Sequence, residues 1–502
     1  MPNLFKDKIF ANTLLLIILA ELLSFLGYYF SAVNTFVFFA TLILVLIISL
    51  YKLEYGLYIL LTELLIGSFG YLFYFDLNGA QISLRLGLWL VVMSVWLAKI
   101  ILEWLKTKQL NFTWLKSRRN APFIILLIFI GYGLLNGRLN GNSLSNIFFD
   151  ANNWFYFLLI FPLMAVWPKS DQLKVIKPIF LAAITYLSAK TVFLAYIFTH
   201  NFSGLDLEIY SWMRADRLGE ITQAAAGFSR VFMQSQIFIL IGFFILLIYL
   251  LKIIREKTDR YYGWQNLTKY LGLLALFLSA IIISFSRSFW LGLAAGGAFV
   301  WLIALFKLKI KFKQFIFYNS IILFSIIISL ILTLAVVKFP YPSAYGGFNP
   351  ADLLSQRATQ ITGEAGASSR WQLLTPLWQK ITVKPLLGQG FGATVTYKTD
   401  DPRVLSTSPD GLYTTYAFEW GWLDVWLKLG LFGLLSYLVW LFMLIKQGLK
   451  INSFISLALA TGLVVLMAVN ISSPYINHPL GIGYAIITLA ILEKLKMDKE
   501  PL

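Results

Sequence analysis

Charge is scarce in this 502-residue chain, with 13% of residues charged and 59% hydrophobic, so the ionisable groups in its polar stretches stand out. Four arginines, Arg217, Arg230, Arg287 and Arg370, and one carboxylate, Glu419, lie between long apolar runs. A guanidinium is permanently charged and offers a planar fork that matches phosphate oxygens in pairs. A carboxylate at the mouth of an arginine-lined cavity suits removal of a proton from a hydroxyl. Together they point to an anionic ligand, and a lipid diphosphate fits because its apolar tail can stay in a bilayer. The plainer alternative pairs Arg370 with a carboxylate such as Glu364 and makes Glu419 an arginine's structural partner. There is no cysteine, which excludes disulfides, thiolate metal sites and a cysteine nucleophile. Two histidines, His200 and His478, are too few for a multi-histidine metal centre, and no cofactor motif is present.

The arginines sit in distinct contexts. Arg287 lies in SFSRSFW, at the tip between two apolar runs. Arg217 and Arg230, with Arg214, occupy the interval 199–230. Arg370 belongs to SSRWQLLTPLWQKITVKPLLGQGFG, inside the long polar interval 338–420. Ser368 or Ser369 is expected to cap a helix running to about Thr382, with Trp371, Leu374, Leu377, Trp378 and Ile381 on one apolar face. Arg370 would then fall in the first turn, where helix dipole and guanidinium together favour an anion. Gly388, Gly390 and Gly392 look like a tight turn packed close to a helix, because the flanking pattern of a dinucleotide loop is missing. Glu419 and Asp424 are expected on nearly the same helix face. Arg85 and Arg138 read as interfacial residues paired with a carboxylate or a headgroup, and Arg138 and Asp150 flank a further polar segment. His478 reads as an incidental loop residue.

Apolar runs of spanning length position these groups. They fall near 10–30, 33–51, 54–75, 82–104, 121–137, 153–167, 175–198, 231–253, 268–286, 288–306, 314–337, 421–445, 452–471 and 477–493, predicting an all-α polytopic membrane protein with about 12–14 transmembrane helices. The net charge of +17 does not imply nucleic acid, since the basic residues form short clusters between apolar runs. Such clusters include Lys6 and Lys8; Lys106, Lys108, Lys116, Arg118 and Arg119; Lys169, Lys174 and Lys177; Lys252, Arg255, Lys257, Arg260 and Lys269; Lys307, Lys309, Lys311 and Lys313; Lys446 and Lys450; and Lys494, Lys496 and Lys499. Their alternation predicts both termini in the cytoplasm and the intervals 199–230 and 338–420 outside. The first run is too long for a cleaved signal peptide and lacks a small-x-small site. The chain divides into membrane helices over 1–337, a large, partly helical outward loop over 338–420, and membrane helices over 421–502. Neither inverted repeats nor broken spans are evident, which disfavours a transporter or flippase for lipid-linked sugars.

The order of motifs over about 284–440 resembles the O-antigen ligase and O-antigen polymerase superfamily. The motifs are Ser-Arg-Ser at a hairpin tip, S-R-W-x-x-x-x-P-L-W, K-P-L-L-G-x-G-F-G, then a polar residue ahead of K-L-G-L-F-G. The resemblance implies a membrane-embedded, inverting, metal-independent glycosyltransferase at the outer face of the cytoplasmic membrane. Its donor would be a glycan on undecaprenyl diphosphate, and its acceptor a hydroxyl of a glycan, lipid or protein. Arg287 and Arg370, with Arg217 or Arg230, match the arginines that hold the diphosphate. Ligases usually carry a histidine where this chain has Glu419, which weakens the case for a lipid A–core ligase and makes a polymerase comparably likely. Glu419 would act as the base.

Overall fold

A computed structural model of the chain describes residues 7–109, 114, 120–167, 172–223, 227–256, 264–346 and 365–497. The basic residues Lys6, Lys116, Arg118, Arg119, Lys169, Lys257, Arg260 and Lys499, the stretch expected to turn helical at Pro350, and Glu364 lie outside these residues. In chain order the helices are α1 (Lys8–Tyr29), α2 (Ser31–Tyr51), α3 (Leu53–Ile66), α4 (Leu84–Thr107), α5 (Ala121–Leu139), α6 (Leu144–Ala151), α7 (Ile160–Val166), α8 (Leu173–Thr199) and α9 (Leu205–Ala215). They continue with α10 (Ile237–Glu256), α11 (Trp264–Ser284), α12 (Arg287–Leu302), α13 (Phe312–Val337), α14 (Ala365–Val383), α15 (Gly421–Ile451), α16 (Phe454–Val469) and α17 (Pro479–Met497). Three antiparallel hairpins accompany them: β1 (Tyr74–Leu77) with β2 (Ala80–Ser83), β3 (Glu220–Gln223) with β4 (Ser229–Phe232), and β5 (Val395–Lys398) with β6 (Leu412–Thr415).

The chain is a polytopic, mainly helical membrane protein. Each apolar run expected to span carries helix, but fewer than expected are full spans. Among the described residues ten helices are long and apolar enough to cross a membrane, or eleven if the bent pair Leu144–Ala151 and Trp154–Val166 is one span. The shortfall has local causes. The expected run 54–75 stops as a helix at Ile66, where Gly67 ends α3 and the chain turns into the β1–β2 hairpin. At 14 residues α3 is about 21 Å long, short of the hydrocarbon thickness. The 16 residues of α16 are likewise short, and α17 ends in Glu493, Lys494 and Lys496.

Burial separates an inner set of helices from a rim. The apolar stretch of α10 is 72% buried against other helices, whereas that of α2 is only 22% buried. Leu15 and Leu16 on α1, Ile43 and Leu44 on α2, and Leu323 and Phe324 on α13 are exposed, a surface that a bilayer and not water would cover. Charges inside the bundle are paired. Arg85 on α4 does not snorkel: its Nε and Nη2 reach both oxygens of Glu63 at 2.9 and 3.1 Å, and its Nη1 donates to the Ser68 carbonyl at 2.8 Å. Lys190 on α8 donates to Glu21 on α1 at 2.6 Å. Isolated charges at this depth would be costly, and pairing is what makes them tolerable.

One turn along α1 from Glu21, Ser24 donates to Asp216 Oδ2 at 2.9 Å and accepts from the Trp212 indole at 3.0 Å, pinning α9 to α1. Burial pushes the Asp216 carboxyl up to about 7. A raised carboxyl favours the fold while protonated, so this contribution is complete below the ordinary value of 3.8 and is lost as pH rises through about 7. Asp216→Asn keeps an acceptor for Ser24 and removes the titration. Thermal melts in detergent should show the variant more stable than wild type at pH 8 and equal to it near pH 4.

Candidate functional site

The site is built on a break in α15. Gly430 leaves helical geometry with φ 70° and ψ 178°, so two rungs of the helical ladder are lost. The turn Pro385–Gly392 fills the gap. Gln389 and Gly390 donate their backbone N–H groups to the carbonyls of Leu427 and Lys428 at 2.6 and 3.1 Å. Leu431 and Phe432, the donors those carbonyls would have served in an unbroken helix, bond instead to Pro385 and Leu386 at 2.9 and 3.4 Å. All four backbone groups freed by the break are thereby satisfied, the condition for non-helical backbone within a span.

The other side of the turn rests on α5. Asn136 donates to the Gly388 carbonyl at 3.0 Å, Asn140 to Gln389 at 2.9 Å, and Asn142 to Phe391 at 2.8 Å. The sequence NGRLNGN thus supplies three amides that read the carbonyls of the turn. Gly388, Gly390 and Gly392 all have positive φ, as a tight turn packed against helices requires. At Gly390 a β-carbon would also collide with the backbone of Gly137.

Beneath the turn lies a charged triad. Lys428 on α15 contacts Asp150 Oδ1 at 2.5 Å and Asp424 Oδ1 at 2.5 Å, and all three side chains are buried. Asp150 Oδ2 accepts the Gly392 N–H at 2.8 Å, and Asp424 Oδ2 accepts from Asn477. The Phe418 ring lies 5.6 Å from the ammonium. Two carboxylates therefore share one ammonium, and the triad ties α6, α15, the glycine turn and the connection before α17 together. Lys428 was not singled out in the sequence. Its one signal there is the i, i+4 spacing from Asp424.

Above this, Arg370 Nε pairs directly with Glu419 Oε2, with the two side chains 36% and 48% exposed. The Trp420 indole donates to the Arg370 carbonyl at 2.9 Å and meets Trp371 edge-on at 5.4 Å. Two expectations are corrected here. Helix α14 starts at Ala365, so Ser368 and Ser369 are not its cap and Arg370 sits in the second turn. The Ser369 hydroxyl is instead bound to the Tyr397 hydroxyl at 2.8 Å. The argument from the helix N-terminus therefore does not apply to Arg370. Glu419 and Asp424 also do not share a helix face. Helix α15 begins at Gly421, leaving Glu419 outside it on Arg370 and Asp424 inside it on Lys428.

The remaining arginines lie elsewhere. Arg230 Nε donates to the Ser284 carbonyl at 2.8 Å, and Arg287 opens α12 three residues later. Next to it Ser288 Oγ meets Ser473 Oγ at 3.0 Å, on the connection that also supplies Asn477 to Asp424. Two hydrogen bonds, one between Ser288 and Ser473 and one from Asn477 to Asp424, thus lead from the start of α12 through the connection before α17 to the triad. Arg217 contacts none of the other four expected residues. It stacks over Tyr71 at 4.3 Å and reaches Gln81 at 3.3 Å. Arg214 pairs with Glu220, and Arg138 is exposed in the last turn of α5. His478 packs edge-on to Phe69 at 5.7 Å, and burial together with the Arg85 charge pushes its imidazole down to about 3. It is therefore neutral under ordinary conditions. Two surface grooves, one on the apolar face of α2 and one between α2 and α3, are lined by none of these residues.

No protein family, curated protein or solved structure matches this chain.

Proposed function

We propose that the protein is an inverting glycosyltransferase that moves a glycan from undecaprenyl diphosphate to an acceptor hydroxyl at the outer face of the cytoplasmic membrane, without a metal. The observation that carries this reading is the direct pairing of Arg370 with Glu419. It brings a guanidinium and a carboxylate to one point, in a chain whose glycine turn resembles the motif series of ligases and polymerases. In the reaction the acceptor oxygen attacks the anomeric carbon as the bond to the diphosphate breaks. Glu419 takes the hydroxyl proton, and the charge that develops on the leaving diphosphate is held by Arg370 and Arg287. A carboxylate held by a guanidinium is a weak base. Arrival of the diphosphate draws Arg370 away and leaves Glu419 free to act.

Two variants test this assignment. Arg370→Ala should lower turnover by about a hundredfold, the usual cost of removing one group that stabilises developing negative charge. Glu419→Gln should abolish turnover while binding the lipid diphosphate at least as tightly as wild type. An exposed pair contributes only about 0–1 kcal/mol, so neither variant should lower the melting temperature much. Equal activity in all three proteins would remove both residues from the chemistry.

A second reading keeps a specific observation in its favour. The sequence showed no broken span, but α15 is broken at Gly430, and the buried Asp424 and Lys428 lie in its first part. Broken helices carrying buried charge are a feature of transporters. A transporter of lipid-linked sugars would move the glycolipid across the bilayer without releasing lipid diphosphate.

A further inference from the structure

Helices α12 and α13 are both long and apolar enough to cross a membrane, the first running on apolar to Lys307 and the second starting at Phe312. Their four-residue connection therefore lies at a membrane–water boundary. The sequence there is FKLKIKFK. Leu308 and Ile310 are buried, while Lys307, Lys309, Lys311 and Lys313 are exposed. Buried apolar residues thus alternate with exposed ammonium groups, which fixes the cations on the outer side of the connection. Phe306 and Phe312, beside them in the chain, are 73% and 75% exposed. No Asp or Glu occurs between Asp259 and Asp352. Among the described residues none of the four lysines has a carboxylate partner. Gln314 docks this corner onto α10 by donating to the Ile254 carbonyl at 2.9 Å, and the end of α10 adds Lys252 and an exposed Arg255.

We infer that the α12–α13 connection is a binding site for the phosphate groups of anionic phospholipids. Unpaired lysines at the headgroup level, with apolar rings beside them that can enter the acyl region, match a surface that is negative above and apolar below. The site is separate from the arginines discussed above, so it holds or fails independently of the proposed reaction.

The test reconstitutes the full chain with photoactivatable phosphatidylglycerol or with a phosphatidylcholine analogue of the same acyl chains, then maps the crosslinks. Wild type should crosslink phosphatidylglycerol, in preference to phosphatidylcholine, at the peptide holding residues 305–314. A variant with Lys307, Lys309, Lys311 and Lys313 all changed to Gln should lose at least about fivefold of that signal, the scale of one lysine at an anionic surface. A matched variant with Lys106, Lys108, Lys446 and Lys450 changed to Gln should stay within about twofold of wild type. Equal losses in the two variants, equal crosslinking of both lipids, or no adduct on this peptide in wild type would each overturn the inference. The wild-type map decides the matter even if a variant does not fold.

Discussion

Lys428→Met should destabilise the protein by about 3–5 kcal/mol, the cost of leaving buried carboxylates without their counter-charge. Lys428 lies between Asp150 and Asp424, at 2.5 Å from each. Its removal leaves two acids facing each other where water does not reach. The reverse change is milder. Asp150→Asn keeps an acceptor for the Gly392 N–H and leaves Lys428 with a single carboxylate, so its cost should be well below that of Lys428→Met. The combination Asp150→Asn, Asp424→Asn and Lys428→Met removes every charge and should recover most of the loss, since buried ion pairs are often replaced by neutral groups at little cost. Thermal melts of the purified variants, read alongside expression level, check the order. A Lys428→Met protein as stable as wild type would mean that the triad does not hold these elements together.

Gly390→Ala should cost about 2–5 kcal/mol, from a positive φ that alanine resists and a methyl group driven into backbone. Gly390 has φ 79°, its N–H serves Lys428, and its open side faces Gly137. No flexible side chain stands there to give way. Leu387→Ala, three residues earlier and half exposed, should change stability by less than about 0.5 kcal/mol. The contrast separates insertion of the turn into the α15 break from general sensitivity of the loop. Similar melting temperatures for the two variants would contradict the fit described for the turn.

These two sites show what a sequence carries and what it withholds. The spans were legible because an apolar run of sufficient length has few other uses, and α13 ends at Val337 and α15 starts at Gly421, where composition changes. The glycine turn was legible because three alternate glycines ask for positive φ. Helix α3 was read as too long because Ile66, Gly67 and the residues up to Phe75 continue the apolar pattern across a real stop. The register of Arg370 was misread because two serines resemble a cap, whereas the hydroxyl of Ser369 is used on Tyr397, 28 residues away. The triad was half visible as Asp424 and Lys428 at i, i+4. Its third member, Asp150, is 278 positions from Lys428, and no local pattern records that meeting. The break at Gly430 is likewise a tertiary fact, because an isolated glycine in an apolar helix breaks it only if another segment takes up the freed backbone groups.

The most direct test of the central claim is release of lipid diphosphate. Purified protein in nanodiscs would be incubated with a glycan on undecaprenyl diphosphate and a hydroxyl acceptor, with chelator present, and the lipid product and the glycosylated acceptor would be quantified by mass. Glycosyl transfer predicts one lipid diphosphate released for each glycan joined to the acceptor, with the linkage inverted, and no release by Glu419→Gln. Movement of the glycolipid across the bilayer with no lipid diphosphate released, from glycans offered in several lengths, would contradict the account and identify a transporter instead.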